Sequence, residues 1–189
     1  MRDIMKKIFI VLAIITFAVS AFAVEIAGVT LPETISASDD SLVLNGVGLR
    51  KKFIIKVYAS ALYLKEKETN EETILNADEP MIIRMVMLYE GVSPEKLRKT
   101  WIEGFEANTE DISPLQERID TLTSWFTTET KKGDTYELLY VPEKGTRLSI
   151  NNSVKGIIEG LDFKKALFSI WLGEEPADNK LKEHLLSKD

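Results

Sequence analysis

The stretch from Leu44 to Leu64 most constrains the fold, because it joins a glycine-rich segment, one arginine and a long run with strand periodicity. Side chains of a strand alternate between its two faces. One face is almost wholly apolar and is predicted to be the core side, with alanines that let a helix lie close: Phe53, Ile55, Val57, Ala59, Ala61 and Tyr63. The other face mixes Lys56, Tyr58 and Ser60 with aliphatic residues, which predicts a cleft lining or a half-solvated surface.

The glycine-rich segment, Asn45 to Leu49, is interpreted as a turn that brings Arg50 to the mouth of this strand. Along one extended strand, Arg50 and Tyr58 would lie roughly 26 Å apart, at about 3.3 Å per residue. They can therefore hold one ligand group only if the chain reverses between them. A tight turn at Lys51 and Lys52 is expected to provide this reversal, and it would leave Tyr58 roughly 16 Å beyond the turn.

The N-terminus has the pattern of a secretory signal peptide. A charged start, Met1 to Lys7, precedes an apolar run of about 11 residues, Ile8 to Ala18. Ala21-Phe22-Ala23 then matches the small-x-small cleavage pattern. We therefore expect residues 1–23 to be removed, leaving a single domain of residues 24–189 in the periplasm or outside the cell. The apolar run is too short to span a bilayer comfortably, and no later stretch approaches the roughly 18 apolar residues of a membrane helix, so stable membrane insertion is not expected after cleavage.

Charge and composition narrow the function further. Removing residues 1–23 leaves 21 basic and 29 acidic residues, so the mature net charge is 21 minus 29, or −8. Such a surface does not favour nucleic acid or anionic lipid headgroups. The absence of cysteine excludes disulfides, thiol catalysis and thiolate metal sites. With His184 as the one histidine and no compact acidic spacing, no metal or other cofactor is predicted.

The remaining pattern predicts an α+β domain, with an antiparallel sheet into which helices are inserted late. Ser93-Pro94 and Ser113-Pro114 each place a hydroxyl cap before a proline, which favours a helix start. Gln116 completes a capping-box pattern with Ser113. Apolar residues at helical spacing, such as Trp101 in the first of these helices, are interpreted as core.

Arg84 is a second arginine of interest, because it alternates with Ile82, Val86 and Leu88 on one face of a predicted strand. Two interpretations stay open. It either pairs with a glutamate or reaches the sheet edge, or it contributes to a ligand site.

Several segments in order resemble the chalcone isomerase-like family: Asn45 to Arg50, Tyr58 to Leu64, Trp101 to Phe105, Lys132-Gly133-Asp134, Gly145-Thr146 and Phe163 to Gly173. The resemblance covers nearly all of residues 25–187. It implies an open-faced antiparallel β-sandwich, with helices packed on one face of the large sheet and a ligand cleft between sheet and helices. The family contains plant isomerases, plant fatty-acid-binding members and exported bacterial members, and this chain looks like the last kind.

The resemblance also suggests site residues. Arg50 matches the arginine of the plant isomerases, Tyr58 stands where the enzyme has a strand threonine, Thr100 falls near its helix asparagine, and Ser169 matches its late hydroxyl. The fatty-acid-binding members are similar in using an arginine and a tyrosine to hold the ligand carboxylate, and Arg50 with Tyr58 would supply that pair. Met85, Met87, Leu62 and Leu64 are expected to be adaptable wall residues.

These observations lead to an expected function. The protein is predicted to be an exported, non-catalytic binding protein for a fatty acid or similar amphipathic carboxylate. Two alternatives stay open: an intramolecular lyase or isomerase acting on a phenolic enone, and a protein-interaction module without a small-molecule ligand. The candidate ligand-binding residues are Arg50, Tyr58, Arg84, Thr100 and Ser169.

Overall fold

The computed structural model describes residues 23–37 and 40–188, so the predicted signal peptide lies outside the described residues, except for Ala23. The large sheet is antiparallel and seven-stranded, with its strands ordered as they occur in the chain. These strands are β3 (Thr34–Ala37), β4 (Asp40–Lys52), β5 (Ile55–Leu64), β6 (Met81–Met87), β7 (Thr135–Val141), β8 (Gly145–Ile150) and β9 (Ser153–Ile158). A separate hairpin of β1 (Ala23–Ile26) and β2 (Val29–Pro32) precedes it.

The helices are α1 (Glu71–Asn76), α2 (Pro94–Asn108), α3 (Gln116–Ser124), α4 (Leu161–Leu172) and α5 (Asn179–Leu185). Their buried side chains form one core with the strand residues of a single face of the sheet. The predicted α+β class, with helices on one face of an antiparallel sheet, is therefore confirmed. No helix in residues 23–37 and 40–188 is long and apolar enough to cross a membrane.

Helical structure begins at both predicted starts, Ser93-Pro94 and Ser113-Pro114, but only the first has the predicted hydroxyl cap. The Ser93 side chain accepts a hydrogen bond from the Lys96 N–H and caps α2, with Pro94 in its first turn. The capping box predicted for Ser113 and Gln116 is wrong. There the Asp111 carboxylate accepts the Ser113 N–H at 2.9 Å, and a short 3-10 turn precedes α3. An aspartate two residues upstream offered a charged acceptor, which forms the stronger bond.

From Tyr58 to Leu64 the predicted faces of β5 are interchanged in the structure, whereas Val57 packs on the helix side as predicted. Tyr58, Leu62 and Leu64 belong to the core beneath the helices. Ala61 and Tyr63 instead join a second core on the other side of the sheet, which is covered by residues of the β1–β2 hairpin and includes Leu31. The alanines therefore make room for a hairpin rather than for a helix. Periodicity separates the two faces of a strand, but it does not say what covers each face.

The glycine-rich segment is also different from the prediction, because it lies inside β4 and is not a turn. A Cβ added at Gly46 would lie 2.1 Å from the His184 carbonyl oxygen, and one at Gly48 would lie 2.8 Å from Leu181 Cδ1. The two glycines therefore let α5 lie directly on the strand. The chain reverses later, at Phe53 and Ile54, between β4 and β5.

Candidate functional site

A cavity of about 540 Å³ lies between the helix-covered face of the sheet and helices α2 and α4. This volume is within the range of small-molecule sites in proteins. Its walls are mainly apolar and aromatic, and include Val57, Met85, Met87, Leu97, Trp101 and Ile170. Met85 and Met87 are thus confirmed as wall residues. The prediction is wrong for Leu62 and Leu64, which belong to the packed core and are not among the described lining residues. The turn between β4 and β5 and the loop after α4 complete the lining.

Arg50 and Tyr58 meet at the wall of this cavity. They are directly opposed in the β4–β5 pairing, and the guanidinium carbon of Arg50 lies 5.7 Å from the centre of the Tyr58 ring. Opposed residues of an antiparallel pair project from the same face, which explains the contact. The predicted chain reversal is therefore present, but its turn lies at Phe53 and Ile54 and not at Lys51 and Lys52, which still belong to β4. The expected 16 Å offset is wrong, because Arg50 also lies several residues from the turn and pairs back onto Tyr58.

A β-bulge places this pair. Arg50 opposes Tyr58 while Lys51 opposes Lys56, so Val57 is an extra residue on β5. The Val57 carbonyl is used by the next strand segment, where it accepts the Leu88 N–H at 2.9 Å. Bulges redirect side chains and are frequent beside functional sites.

The guanidinium of Arg50 is incompletely satisfied. Its Nε is buried without a hydrogen-bond partner, and within residues 23–37 and 40–188 the side chain forms no ion pair. Glu103 and Glu175 also line the cavity, yet neither lies in salt-bridge contact with Arg50. A buried donor without a partner is costly, and a bound anion would satisfy it.

Tyr58 brings a second hydrogen-bond donor to the lining of the cavity. Its oxygen accepts the Trp171 indole N–H at 2.8 Å, which leaves the phenol proton free to be donated. Burial raises the pKa of Tyr58, although the nearby Arg50 cation acts in the opposite direction. The side chain is therefore a neutral phenol at pH 7.

The two predicted hydroxyl residues have different positions. Thr100 lines the cavity, but its hydroxyl donates to the Lys96 carbonyl at 2.9 Å within α2. Ser169 is buried, and its hydroxyl donates to the Ala166 carbonyl at 2.7 Å. Among the described lining residues its neighbours Ile170 and Trp171 are present and Ser169 is not. Both hydroxyls bond their own helix backbone, as is common for Ser and Thr in helices.

Arg84 lies on the opposite face of the sheet and does not join the cavity. Its Nε donates to Glu137 Oε2 at 3.0 Å, and its terminal nitrogen lies 2.5 Å from the same oxygen. Arg147 approaches the other oxygen of Glu137 at 4.0 Å. The glutamate-pairing interpretation of Arg84 is confirmed.

The residue that sequence reasoning missed is Trp171. Its place in the apolar stripe of α4 indicated core, and it is indeed buried, but it also lines the cavity and orients Tyr58. One signal was available: an indole N–H inside a core requires an acceptor. Trp101 is likewise both a core residue and a wall of the cavity, with its ring centre 5.5 Å from that of Trp171.

A curled antiparallel sheet with helices on one face, and a ligand-sized cavity between the two layers, defines the class of fold. A family model described as chalcone isomerase-like matches residues 23–187. The chain therefore belongs to the chalcone isomerase-like family, as the sequence resemblance predicted.

The fold is also similar to that of a solved plant protein. A crystal structure of a fatty-acid binding protein from Arabidopsis thaliana superposes with a TM-score of 0.70 and 21% sequence identity. The match covers 87% of this chain and 96% of the plant chain. A search of curated protein sequences found no significant match. At this identity the similarity establishes the fold.

Proposed function

We propose that the protein binds a fatty acid or similar amphipathic carboxylate in the cavity, with the carboxylate held by Arg50 and Tyr58. The observation that carries the proposal is the unpaired guanidinium at the wall of a mainly apolar cavity. A guanidinium recognises a carboxylate through paired, charge-assisted hydrogen bonds. The phenol of Tyr58 adds a donor beside it.

The rest of the cavity suits an apolar tail. Methionines and aromatic rings from β6, α2 and α4 form its walls. Methionine side chains adapt to chains of different length and bend. Charged and hydroxyl side chains are a minority of the lining, which is how sites for amphipathic ligands combine orientation with apolar contact. The plant structure of similar fold is that of a fatty-acid binding protein, which supports the same ligand class.

We propose that the protein binds this ligand without catalysing a reaction. An isomerase that acts on a phenolic enone needs several donors converging on the developing negative charge. Here the Thr100 hydroxyl is used by the Lys96 carbonyl and the Ser169 hydroxyl by the Ala166 carbonyl. The raised pKa of Tyr58 also disfavours a phenolate base at neutral pH. We further propose that the protein acts after export, with residues 1–23 removed, and mass spectrometry of the mature N-terminus tests that point.

The test is a titration of delipidated protein with palmitate, monitored by calorimetry and by native mass spectrometry. Charge-assisted hydrogen bonds contribute about 1.5–3 kcal/mol, so Arg50→Gln is expected to weaken binding by about 10- to 100-fold. Palmitate methyl ester, which lacks the charge, is expected to bind the wild type and Arg50→Gln about equally. A wild type that takes up no palmitate contradicts the proposal.

Lys155→Gln is the matched control, because it also removes one positive charge, at an exposed position on β9 away from the cavity. It is expected to leave the palmitate affinity unchanged. An equal loss in both variants would mean that net charge, and not the site, governs uptake. Cyclisation of a chalcone by the wild type, lost in Arg50→Gln, would instead support the isomerase alternative.

A further inference from the structure

The turn between β4 and β5 exposes large apolar side chains to solvent. Phe53 is 92% exposed, Ile54 is 95% exposed and Ile55 is 44% exposed. Tyr89, at the end of β6, is 44% exposed, and its N–H bonds the Val57 carbonyl at 3.1 Å. Single exposed apolar residues are common, but a contiguous cluster marks an interaction site. We call residues 51–56 the hairpin tip.

The charges of the hairpin tip oppose those of the whole chain. Its sequence, Lys51-Lys52-Phe53-Ile54-Ile55-Lys56, has three lysines and no acid, whereas the chain has a net charge of −6. Among the described residues, none of these lysine side chains forms an ion pair. A nearby carboxylate, that of Asp178, is engaged by the Lys51 backbone N–H at 3.0 Å and by the cap of α5. The tip is therefore locally cationic.

The backbone holds the apolar residues outward. Phe53 has a φ of +56°, a left-handed conformation that bulky side chains rarely adopt. Such strained positions cluster at functional sites. The Asp178 contact fixes the base of the hairpin to the loop before α5, so the tip projects from a braced support.

The hairpin tip also forms the rim of the cavity. Lys52, Phe53 and Ile55 line it, together with Tyr89. A surface that covers the tip would therefore face the cavity opening. Aromatic and aliphatic side chains flanked by lysines match the two layers of an anionic bilayer surface, the acyl boundary and the charged headgroups.

From these observations we propose that the hairpin tip docks the protein on an anionic phospholipid surface, with Phe53 and Ile54 in the headgroup–acyl boundary and the lysines on the headgroups. The docked protein would present its cavity to the membrane. This local patch departs from the expectation, drawn from net charge, that anionic lipid is disfavoured. The docking proposal depends only on the features of the hairpin tip. The idea that docking serves ligand transfer rests on the proposed fatty-acid function.

The test is flotation with vesicles of phosphatidylethanolamine and phosphatidylglycerol, compared with vesicles of phosphatidylcholine. The experiment uses protein purified with the N-terminus that the cells produce, and mass spectrometry determines that N-terminus. We expect flotation with the anionic vesicles and its loss at high salt. Ile54→Ser is expected to weaken binding about tenfold, and Lys51→Gln and Lys56→Gln about fivefold each. None of these three residues lines the cavity.

The control variant is Lys155→Gln with Ile157→Ser on the edge strand β9, which also removes an exposed lysine and a 54% exposed isoleucine. It is expected to float like the wild type. Equal loss in the control, or flotation of Ile54→Ser equal to that of the wild type, would overturn the proposal. A lipid-free dimer that Ile54→Ser dissociates would overturn it as well, by assigning the tip to a second copy.

Palmitate titration of the same variants separates the two proposals. If Ile54→Ser loses flotation but keeps palmitate affinity, docking and ligand binding are distinct properties and both are supported. Flotation without palmitate uptake by the wild type would remove the proposed ligand and retain the docking surface. Palmitate uptake without flotation would retain the proposed ligand and remove the docking surface.

Discussion

The protein places two cations over tyrosine rings on the same side of its sheet, and the two pairs are satisfied very differently. Arg50 lies 5.7 Å from the Tyr58 ring centre, and Lys164 Nζ lies 5.6 Å from that of Tyr140. Tyr58 pairs with Met87 and Tyr140 with Met81, so the pairs lie at opposite ends of β6. Six residues of strand separate them by roughly 20 Å.

The Lys164 pair is saturated. Its ammonium donates to the carbonyls of Ile74, Leu75 and Ala77 at 2.7, 2.9 and 3.0 Å, which uses its three donors. The Tyr140 hydroxyl donates to Asp78 at 2.6 Å. Burial lowers the pKa of Lys164 to about 8, so the lysine remains mostly charged at pH 7. It closes the C-terminal end of α1.

The Arg50 pair, by contrast, has hydrogen-bond donors that no described side chain accepts. The Nε of Arg50 has no partner, and the Tyr58 hydroxyl receives a bond from Trp171 without giving its own proton to a described side chain. Burial and an aromatic neighbour therefore do not distinguish a structural cation from a ligand-binding one. The difference lies in whether the protein itself satisfies the donors.

The largest expected difference is in stability. Lys164→Met leaves three carbonyls at the end of α1 without a partner, so the free energy of unfolding is expected to fall by about 3 kcal/mol. Arg50→Met is expected to change it by less than about 1 kcal/mol, because the contact with the Tyr58 ring is lost while no ion pair to a described residue is broken. Urea unfolding measures both. Lys165→Met, at the next residue of α4, is the control, and a small effect of Lys164→Met would show that the two cations are equivalent.

Substitution of the two tyrosines tests the same contrast, with smaller expected changes in stability. Tyr58→Phe removes the acceptor of the buried Trp171 N–H, so we expect a loss of about 1–2 kcal/mol in stability and weaker palmitate binding. Tyr140→Phe exposes the Asp78 carboxylate to water, since Asp78 is at the surface, and is expected to cost less than about 1 kcal/mol. Its palmitate affinity should equal that of the wild type. Equal losses of affinity would place the ligand elsewhere.

The smallest expected effect is on the acid sensitivity of the free energy of unfolding, and it arises in α1, the helix whose C-terminal end Lys164 closes. Glu71, in α1, contacts Lys188 at 2.7 Å and Lys182 at 3.1 Å. The hydrogen bond from Lys188, with the backbone and Lys182, lowers the pKa of Glu71 to about 2. Because the folded pKa lies below the unfolded value, this stability is present above about pH 4.3 and is lost as the pH falls toward 2.

Solvent screening limits this contribution to about 1 kcal/mol. Glu71→Gln should therefore lower the free energy of unfolding at pH 7 by that amount and flatten its decline between pH 4.5 and 2, as measured by urea unfolding. Arg50→Gln should leave the decline unchanged. An unaltered pH profile in Glu71→Gln would show that the contact with the C-terminal lysines does not contribute in solution.

Some local features were predicted correctly because their physical cause lies within a few residues, although the capping box of Ser113 was not, since Asp111 accepts the Ser113 N–H. Ser93 and Pro94 start α2 because the cap and its target are three residues apart. The alternation of β5 separated its two faces from Tyr58 to Leu64, but the bulge at Val57 breaks it, because Ile55 and Val57 line the cavity together with Tyr58. The order of segments predicted the family and the α+β class. Arg50 was identified as the anchor candidate through the family resemblance, whereas the turn expected before it is part of β4.

What only the tertiary structure decided depends on partners far away in the chain. Gly46 and Gly48 form a strand and not a turn because α5, more than 130 residues later, lies on them. The pairing of Arg84 with Glu137 spans 53 residues, and the bond from Trp171 to Tyr58 spans 113. Sequence periodicity carries no register between distant strands. The sequence by itself therefore determined which residues could bind an anion, and the fold alone decided which cation kept its donors free to do so.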